Sequence, residues 1–170
     1  RVYLEEGHLK LKSYYVIGGS VRTSARLVKL DKKLNEVFNA DFDKELKGKE
    51  FEQFFVLGKK LFIIGTSYKK NALTIYAAEV NKRDGFHSGV WTELKTIYKD
   101  DKKDGIDFNL VYSSDSTKML LVSTVAGKEK SNFSIQEFDQ NLRASAKEVI
   151  IANEFEKKFF RLEDIVYTPQ

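Results

Sequence analysis

The two histidines are the side chains best suited to metal binding or acid–base chemistry, and their surroundings favour neither. His8 and His87 lie far apart in the chain, and neither has a carboxylate partner at the interval that zinc sites use. Serine catalysis would need one of them to meet both a serine and a carboxylate, and no motif singles one out. Each stands near glycine, in Gly7-His8 and in His87-Ser88-Gly89. We therefore expect both histidines to be exposed residues of turns.

The acidic stretch at 100–107 comes closest to a calcium-binding loop. In the EF-hand pattern the third position supplies an oxygen ligand and the twelfth a bidentate glutamate. Lys102 and Val111 occupy those two positions here, so the pattern fails. We expect a solvated loop between structural units, carrying Asp100, Asp104 and Asp107.

Motifs for nucleophiles and phosphate binding are absent from the sequence as well. Gly18-Gly19-Ser20 matches neither the Walker loop nor the Gly-x-Ser-x-Gly elbow, and is typical of a turn that ends a strand. The chain has no cysteine, which excludes a thiol nucleophile, a disulfide framework and a Cys-ligated zinc or iron–sulfur site. We therefore expect no catalytic residue, no metal and no cofactor, and a protein that is not an enzyme.

Charge and hydropathy exclude two further classes of partner. The chain has 29 Lys and Arg against 25 Asp and Glu, a net charge of only +4, and the two signs are interspersed. A nucleic-acid-binding protein would carry a basic cluster on one face, so we expect no nucleic-acid partner. Because the sequence has no apolar run of about 18 residues, we also expect that it does not span a membrane.

The aromatic residues divide into expected core and possible surface positions. Trp91 and Tyr76 are the two aromatics that we consider as surface contacts. Most of the phenylalanines lie in apolar runs and are expected in the core rather than in a stacking platform for sugars or bases: Phe54, Phe55, Phe62, Phe108, Phe133, Phe138, Phe159 and Phe160.

These side chains must be positioned by a repeated unit of four strands. Two windows, 54–65 and 109–123, each read as an apolar strand, a turn and a second apolar strand, and a third copy begins at 163–167. Leu57, Tyr112 and Tyr167 mark the repeat at intervals of 55 residues. The predicted third strands are 25–33, 73–82 and 133–141, and the predicted fourth strands are 35–42, 90–98 and 142–151.

Strand character supports this register. The first two strands of a unit are nearly continuously apolar, as expected when both faces are covered, whereas the third and fourth alternate. Residues 141–165 leave a second interpretation open. Leu142, Ala146 and Val149 fall at helical spacing there, so a helix competes with the fourth strand that the repeat requires.

The turn and strand at 112–123 resemble the TolB-type, WD-repeat-like β-propeller unit, whose pattern is a Ser-Pro-Asp-Gly-Lys turn followed by an apolar strand. In this chain Ser114 stands in place of the proline and Ser116 in place of the glycine. The chain as a whole is similar to propeller-like envelope proteins of Bacteroidota. The resemblance implies an all-β partial propeller of consecutive four-stranded antiparallel blades, about three of them plus the start of another, and it implies no catalytic residues.

The unit boundaries follow from the repeat. We expect a partial blade at 1–43, blades at 44–100 and 101–153, and the first strand of a further blade at 154–170. Propellers close with about four to eight blades, so we expect these 170 residues to belong to a longer protein.

The expected function is a non-catalytic binding or scaffolding module of a larger, extracytoplasmic, envelope-associated bacterial protein. A protein or peptide, or the rest of its own chain, is the expected partner, and a glycan is possible; the sequence identifies no binding residue. The alternative is the gating propeller of a hydrolase similar to prolyl oligopeptidase, whose catalytic domain would lie outside these residues.

Overall fold

The computed structural model describes the backbone of residues 2–5, 7–16, 22–87, 89–128, 130–153 and 165–168, and within those ranges the side chains of 24–152 and 165–168. These residues are all-β: their strands form three four-stranded antiparallel sheets, and none of them lies in a helix. None of them therefore belongs to an apolar helix long enough to cross a membrane.

Each sheet is a meander in which strands that follow one another in the chain lie side by side. The first sheet has the order β1-β2-β3-β4, the second β5-β6-β7-β8, and the third β12-β11-β10-β9. The first contains β1 (Val2–Glu5), β2 (Gly7–Val16), β3 (Arg22–Leu30) and β4 (Glu36–Asp41). The second contains β5 (Glu50–Leu57), β6 (Lys60–Lys69), β7 (Ala72–Val80) and β8 (Thr92–Tyr98). The third contains β9 (Gly105–Tyr112), β10 (Lys118–Ala126), β11 (Ser131–Asp139) and β12 (Val149–Asn153).

The turn between β5 and β6 depends on the backbone conformation of a glycine. Gly58 begins the turn between β5 and β6 with φ of 59°, a left-handed conformation that suits glycine and matches the twist of paired strands. Its N–H donates to the Ser116 carbonyl, and a Cβ at this position would lie 2.5 Å from Gln140 Oε1. The positive φ is therefore the main reason for glycine here, since the end of the Gln140 side chain can move away from a Cβ.

The turn between β9 and β10 is held by side-chain hydrogen bonds. Ser113 Oγ donates to Asp115 Oδ1 at 2.6 Å, and the N–H of Lys118 donates to Ser113 Oγ at 3.0 Å. The Ser113 hydrogen bond is the largest of several that lower the pKa of Asp115. Ser116 has φ of 56°, so it adopts the left-handed conformation that a glycine would take more easily. Side-chain hydrogen bonding therefore sets this turn without proline or glycine.

Burial follows the position of a strand in its sheet rather than its position in the repeat. Central strand β6 is buried from Leu61 to Thr66, and the rings of Phe55 and Phe62 stack with centroids 5.2 Å apart. Strand β9 was expected to be covered on both faces, but its burial alternates. It lies at the edge of its sheet, where only one neighbouring strand protects it.

The strand order predicted from the repeat agrees with the structure, with one shifted boundary. The predicted fourth strand at 142–151 begins only at Val149, after a turn, and no helix occurs between residues 141 and 153. The remainder of the possible helix, residues 154–164, lies outside the described residues. Of the further strand expected at 163–167, residues 165–168 lie in no strand and the others are not described.

The chain divides into two compact units. The first comprises Arg1–Phe55, Lys60–Ser67 and Ile75–Thr92, and the second comprises Val56–Lys59, Tyr68–Thr74 and Glu93–Gln170. The first unit contains the core in which Phe42 and Phe54 pack edge to face at 5.2 Å. The candidate site described next also lies in the first unit.

Candidate functional site

An acidic cavity of about 420 Å³ lies where the end of β4 meets the loop after β7. Its volume is within the range of about 300–1,000 Å³ typical of ligand pockets. We call this site the acidic cavity; it is lined by Ala40, Asp41, Phe42, Glu45, Asp84, Gly85, Phe86 and His87.

One wall of the acidic cavity is a tight turn that follows β7. The Asn81 carbonyl accepts the N–H of Gly85 at 2.8 Å, and the N–H of Asn81 donates to the Phe86 carbonyl at 2.9 Å. Asp84 Oδ1 accepts the N–H of Phe86 at 2.9 Å. Asn and Asp favour such turns because their short side chains bond to backbone two residues further along. The turn brings His87 back against β7, where it forms a bridge with Val80.

The opposite wall is the segment that follows β4. Phe42 is 1% exposed, and its carbonyl accepts the N–H of Leu46 at 2.9 Å, which starts a compact turn. Leu46 is also buried, so Phe42 and Leu46 anchor the segment while Glu45 between them lines the cavity. The apolar anchors therefore fix the position of an acidic side chain.

His87 is the buried polar group of this site. It is 6% exposed, so the expectation of an exposed turn histidine was wrong for this residue. Its ring lies 6.3 Å from that of Phe42 and 5.2 Å from that of Trp91, and these neighbours exclude water. Sequence proximity to Gly89 had suggested a solvated turn, but the bridge to Val80 turns the side chain inward.

The hydrogen bonds of His87 define which ring nitrogen carries the proton. The N–H of Gly89 donates to Nδ1 at 2.8 Å, so Nδ1 is unprotonated and Nε2 carries the proton. Burial is the main cause that lowers the pKa of His87, followed by the opposing effect of Glu45 and a smaller lowering by Lys49. Among the described residues Nε2 has no hydrogen-bond partner although it is buried. Such an atom carries a desolvation cost until an acceptor reaches it.

We expect His87 to make the protein less stable in weak acid. The unfolded chain protonates histidine below pH of about 6.5, whereas burial lowers the pKa in the folded protein. The free energy of unfolding should therefore be highest above that pH and fall by up to about 1.4 kcal/mol per pH unit below it, until the lowered pKa is reached. Urea unfolding at several pH values between 5 and 8 measures this slope.

A matched pair of variants assigns that slope. His87→Gln should flatten it, since glutamine does not titrate, whereas His8→Gln should keep the part contributed by His87. An unchanged slope in His87→Gln would show that other groups cause the pH dependence.

The carboxylates of the acidic cavity are only partly neutralised. Asp41 forms an ion pair with Arg26, with 3.5 Å between Oδ2 and Nη2, and both side chains are about half exposed. Among the described residues, Glu45 and Asp84 have no ion-pair partner. The cavity therefore presents two unpaired carboxylates beside a neutral histidine.

A cation–π cluster lies on the other side of His87. Lys49 Nζ sits 5.1 Å from the ring centroid of Tyr76 and 4.9 Å from that of Trp91. Both rings are half-buried, and each lies against a lysine of its own chain while keeping part of its surface exposed. This arrangement holds Trp91, the single tryptophan, next to the acidic cavity.

Two other polar clusters, both in the second unit, have the character of structural contacts. Glu137 accepts hydrogen bonds from Lys118 Nζ at 3.0 Å, Ser145 Oγ at 2.6 Å and the hydroxyl of Tyr167. These bonds, that of Ser145 foremost, lower the pKa of Glu137 to about 2. They tie the segment at 165–168 to β11.

The second of these clusters contains a serine beside a lysine. Lys95 Nζ donates to Ser134 Oγ and to Glu148, and Ser134 Oγ donates to the same carboxylate. A serine–lysine catalytic pair needs an unprotonated amine that accepts the proton of the hydroxyl. Here the serine proton goes to Glu148, whose pKa is lowered first by the Lys95 hydrogen bond. The cluster is therefore an ion pair bridged by a hydroxyl.

No protein-family model, curated protein or solved structure matches this chain. The site is therefore interpreted from its own geometry.

The remaining residues considered from the sequence do not join the acidic cavity. His8 lies in β2 rather than in a turn, and its Cα pairs with those of Leu4 and Leu30. In the acidic loop, Asp104 is buried and its Oδ2 accepts the N–H of Asp101 at 2.8 Å, so this carboxylate holds the loop instead of being solvated. The Gly18-Gly19-Ser20 stretch lies outside the described residues. Within the described ranges no three His, Asp or Glu side chains form a group that could hold a metal.

Proposed function

We propose that this chain is a segment of a β-propeller that acts as a non-catalytic binding module for a protein or peptide, within a larger extracytoplasmic, envelope-associated protein. The observation that supports the proposal is the series of three consecutive meanders, each with four antiparallel strands built by its own stretch of chain. A propeller blade is a unit of this kind. Rigid sheets with variable connecting loops are also a common framework for binding sites.

The chemistry of the acidic cavity favours binding over turnover. Its polar groups mainly fix the backbone: Asp84 accepts the N–H of Phe86, and His87 Nδ1 accepts that of Gly89. A histidine acting as general base would need a free nitrogen lone pair toward its substrate. The lone pair of His87 is already used by Gly89, and what remains is a hydrogen-bond donor. A donor beside carboxylates is suited to recognition.

The test exposes the protein to two classes of partner and to one enzyme probe. The 170-residue chain and the protein of the complete reading frame are both applied to an array of random heptapeptides and to an array of glycans. The protein of the complete reading frame is also treated with a fluorophosphonate, which labels activated serines. We expect sequence-dependent binding to peptides and no labelling.

Each other outcome contradicts a defined part of the proposal. Binding to glycans alone would overturn the class of partner. Fluorophosphonate labelling of the complete protein would favour the gating propeller of a serine hydrolase.

A further inference from the structure

We propose that the acidic cavity binds a lysine or arginine side chain of a peptide, with the carboxylates holding the cation and His87 donating to a carbonyl of the same ligand. This inference rests on the proposed function and names the residue type that the partner presents. It is carried by two independent features, the unpaired carboxylates of the lining and the unpartnered, buried Nε2–H of His87.

The first feature sets the charge of the ligand. Asp41, Glu45 and Asp84 line the same cavity, and of these only Asp41 has an ion-pair partner among the described residues. Lys49, whose charge affects His87, has its Nζ over the rings of Tyr76 and Trp91. An entering ammonium or guanidinium would be attracted to this lining, whereas an anion would be repelled.

The second feature requires more than a bare cation. Because Nδ1 of His87 accepts from Gly89, the proton lies on Nε2, and a ligand acceptor reaches this buried atom once the side chains that cover it move aside. A cation has no lone pair to offer, so an amine alone would leave Nε2 unsatisfied. A peptide presents a cationic side chain and backbone carbonyls a few ångströms apart, which matches the two features together. A buried donor that gains a partner also strengthens the preference for the ligand that supplies it.

The remaining walls suit the alkyl part of such a side chain. Phe42 is buried at the base of the cavity, and Phe86 is 66% exposed at its rim. Lysine and arginine carry long apolar stems below their charged ends, and these stems pack well on aromatic rings. The volume of about 420 Å³ accommodates one such side chain with adjoining backbone.

Trp91 provides a direct readout of binding. It is the only tryptophan, and its ring centroid lies 5.2 Å from that of His87.

The probes are acetyl-Gly-Lys-Gly-amide, the same peptide with an acetylated lysine side chain, and butylamine. We expect saturable quenching or enhancement of fluorescence by the lysine peptide, at least tenfold weaker binding of the acetylated peptide, and binding of butylamine weaker than that of the lysine peptide. Equal binding of lysine and acetyl-lysine peptides would overturn the proposal.

Charge-matched variants localise the effect. Glu45→Gln with Asp84→Asn removes both unpaired carboxylates, while asparagine at 84 keeps an acceptor for the Phe86 N–H. Loss of exposed ion pairs of ordinary strength predicts about tenfold weaker binding of the lysine peptide. Asp100→Asn with Asp107→Asn removes the same number of charges from exposed side chains in the second unit and should leave the affinity unchanged. If the site variant and the second-unit control weaken binding equally, the effect depends on net charge alone. That result would contradict binding of the lysine side chain in the acidic cavity.

NMR of the histidine ring tests the donor separately. The Nε2 proton of His87 should shift and become protected from exchange when the lysine peptide binds, and should respond less to butylamine. An Nε2 resonance that does not move at saturation would remove His87 from the site.

If array peptides bind and the Glu45→Gln, Asp84→Asn variant binds them equally, the proposed function stands and the acidic cavity is not its site. If no peptide binds at all, both proposals fail.

Discussion

Truncating Phe54 to alanine should lower the free energy of unfolding by about 3–5 kcal/mol, the usual cost of removing a buried phenyl ring and leaving a cavity. The side chain is 0% exposed. Its ring centroid lies 5.2 Å from those of both Phe42 and Phe51. Since ordinary domains have only about 5–15 kcal/mol of stability, this single change should remove a large part of it. Urea unfolding followed by circular dichroism and by Trp91 fluorescence measures the loss.

A milder variant and an exposed control keep this prediction testable if Phe54→Ala fails to fold. Phe54→Leu retains most of the apolar volume and should cost about 1.5 kcal/mol. Phe86→Ala removes the same ring from a position that is 66% exposed, so its effect should stay within about 0.5 kcal/mol. Similar losses at positions 54 and 86 would contradict the burial that places Phe54 in the core.

Phe54 also connects the core with the acidic cavity. Phe42 packs on Phe54 from one side and lines the cavity on the other. Removing the Phe54 ring takes away the support on which Phe42 rests, and His87 is edge-on to Phe42 at 6.3 Å. We therefore expect the Trp91 emission of a folded Phe54 variant to shift, because Trp91 is packed on His87.

The order of strands could be predicted from the sequence because it depends on local signals. The 55-residue repeat and the polar turns placed β5, β6, β9 and β10 correctly, and the alternation of strand and turn extended this to their neighbours. The start of β12 was misplaced because polar residues before Val149 carry no turn signal as strong as glycine or proline. Edge burial was also missed, since a repeat says nothing about which strand lacks a neighbour.

The acidic cavity could not be predicted because its parts are distant in sequence. Asp41 ends β4 and Asp84 lies in the loop after β7, so only the folding of the first unit brings them together. His87 looked like a turn residue because of the stretch His87-Ser88-Gly89. A local sign was present nevertheless: Asp84-Gly85, four residues after the end of β7, is typical of a turn that reverses the chain and returns it toward the strand.

Gly85→Ala should destabilise the protein by about 3 kcal/mol, more than a change of this size usually costs on a surface loop. Gly85 has φ of +74°, where an alanine is strained by about 1–2 kcal/mol. A Cβ at this position would lie 2.7 Å from Phe38 Cε2 and 2.8 Å from Ala40 Cβ. Ala40 belongs to β4, so its Cβ moves only with the backbone of a paired strand. The clash therefore adds roughly 1–2 kcal/mol to the backbone strain.

Two other glycines separate the clash from the strain. Gly48 has φ of +78° and Gly89 has φ of +76°, and no neighbouring atom lies within 4 Å of a Cβ built on either. Gly48→Ala and Gly89→Ala should each cost about 1 kcal/mol, from backbone strain alone. Equal losses at all three positions in urea unfolding would show that nothing presses on residue 85. We expect Gly85→Ala to lose more stability than the other two variants and also to bind the lysine peptide more weakly. Both effects are expected because β4 and the loop after β7 must fit closely to form the acidic cavity.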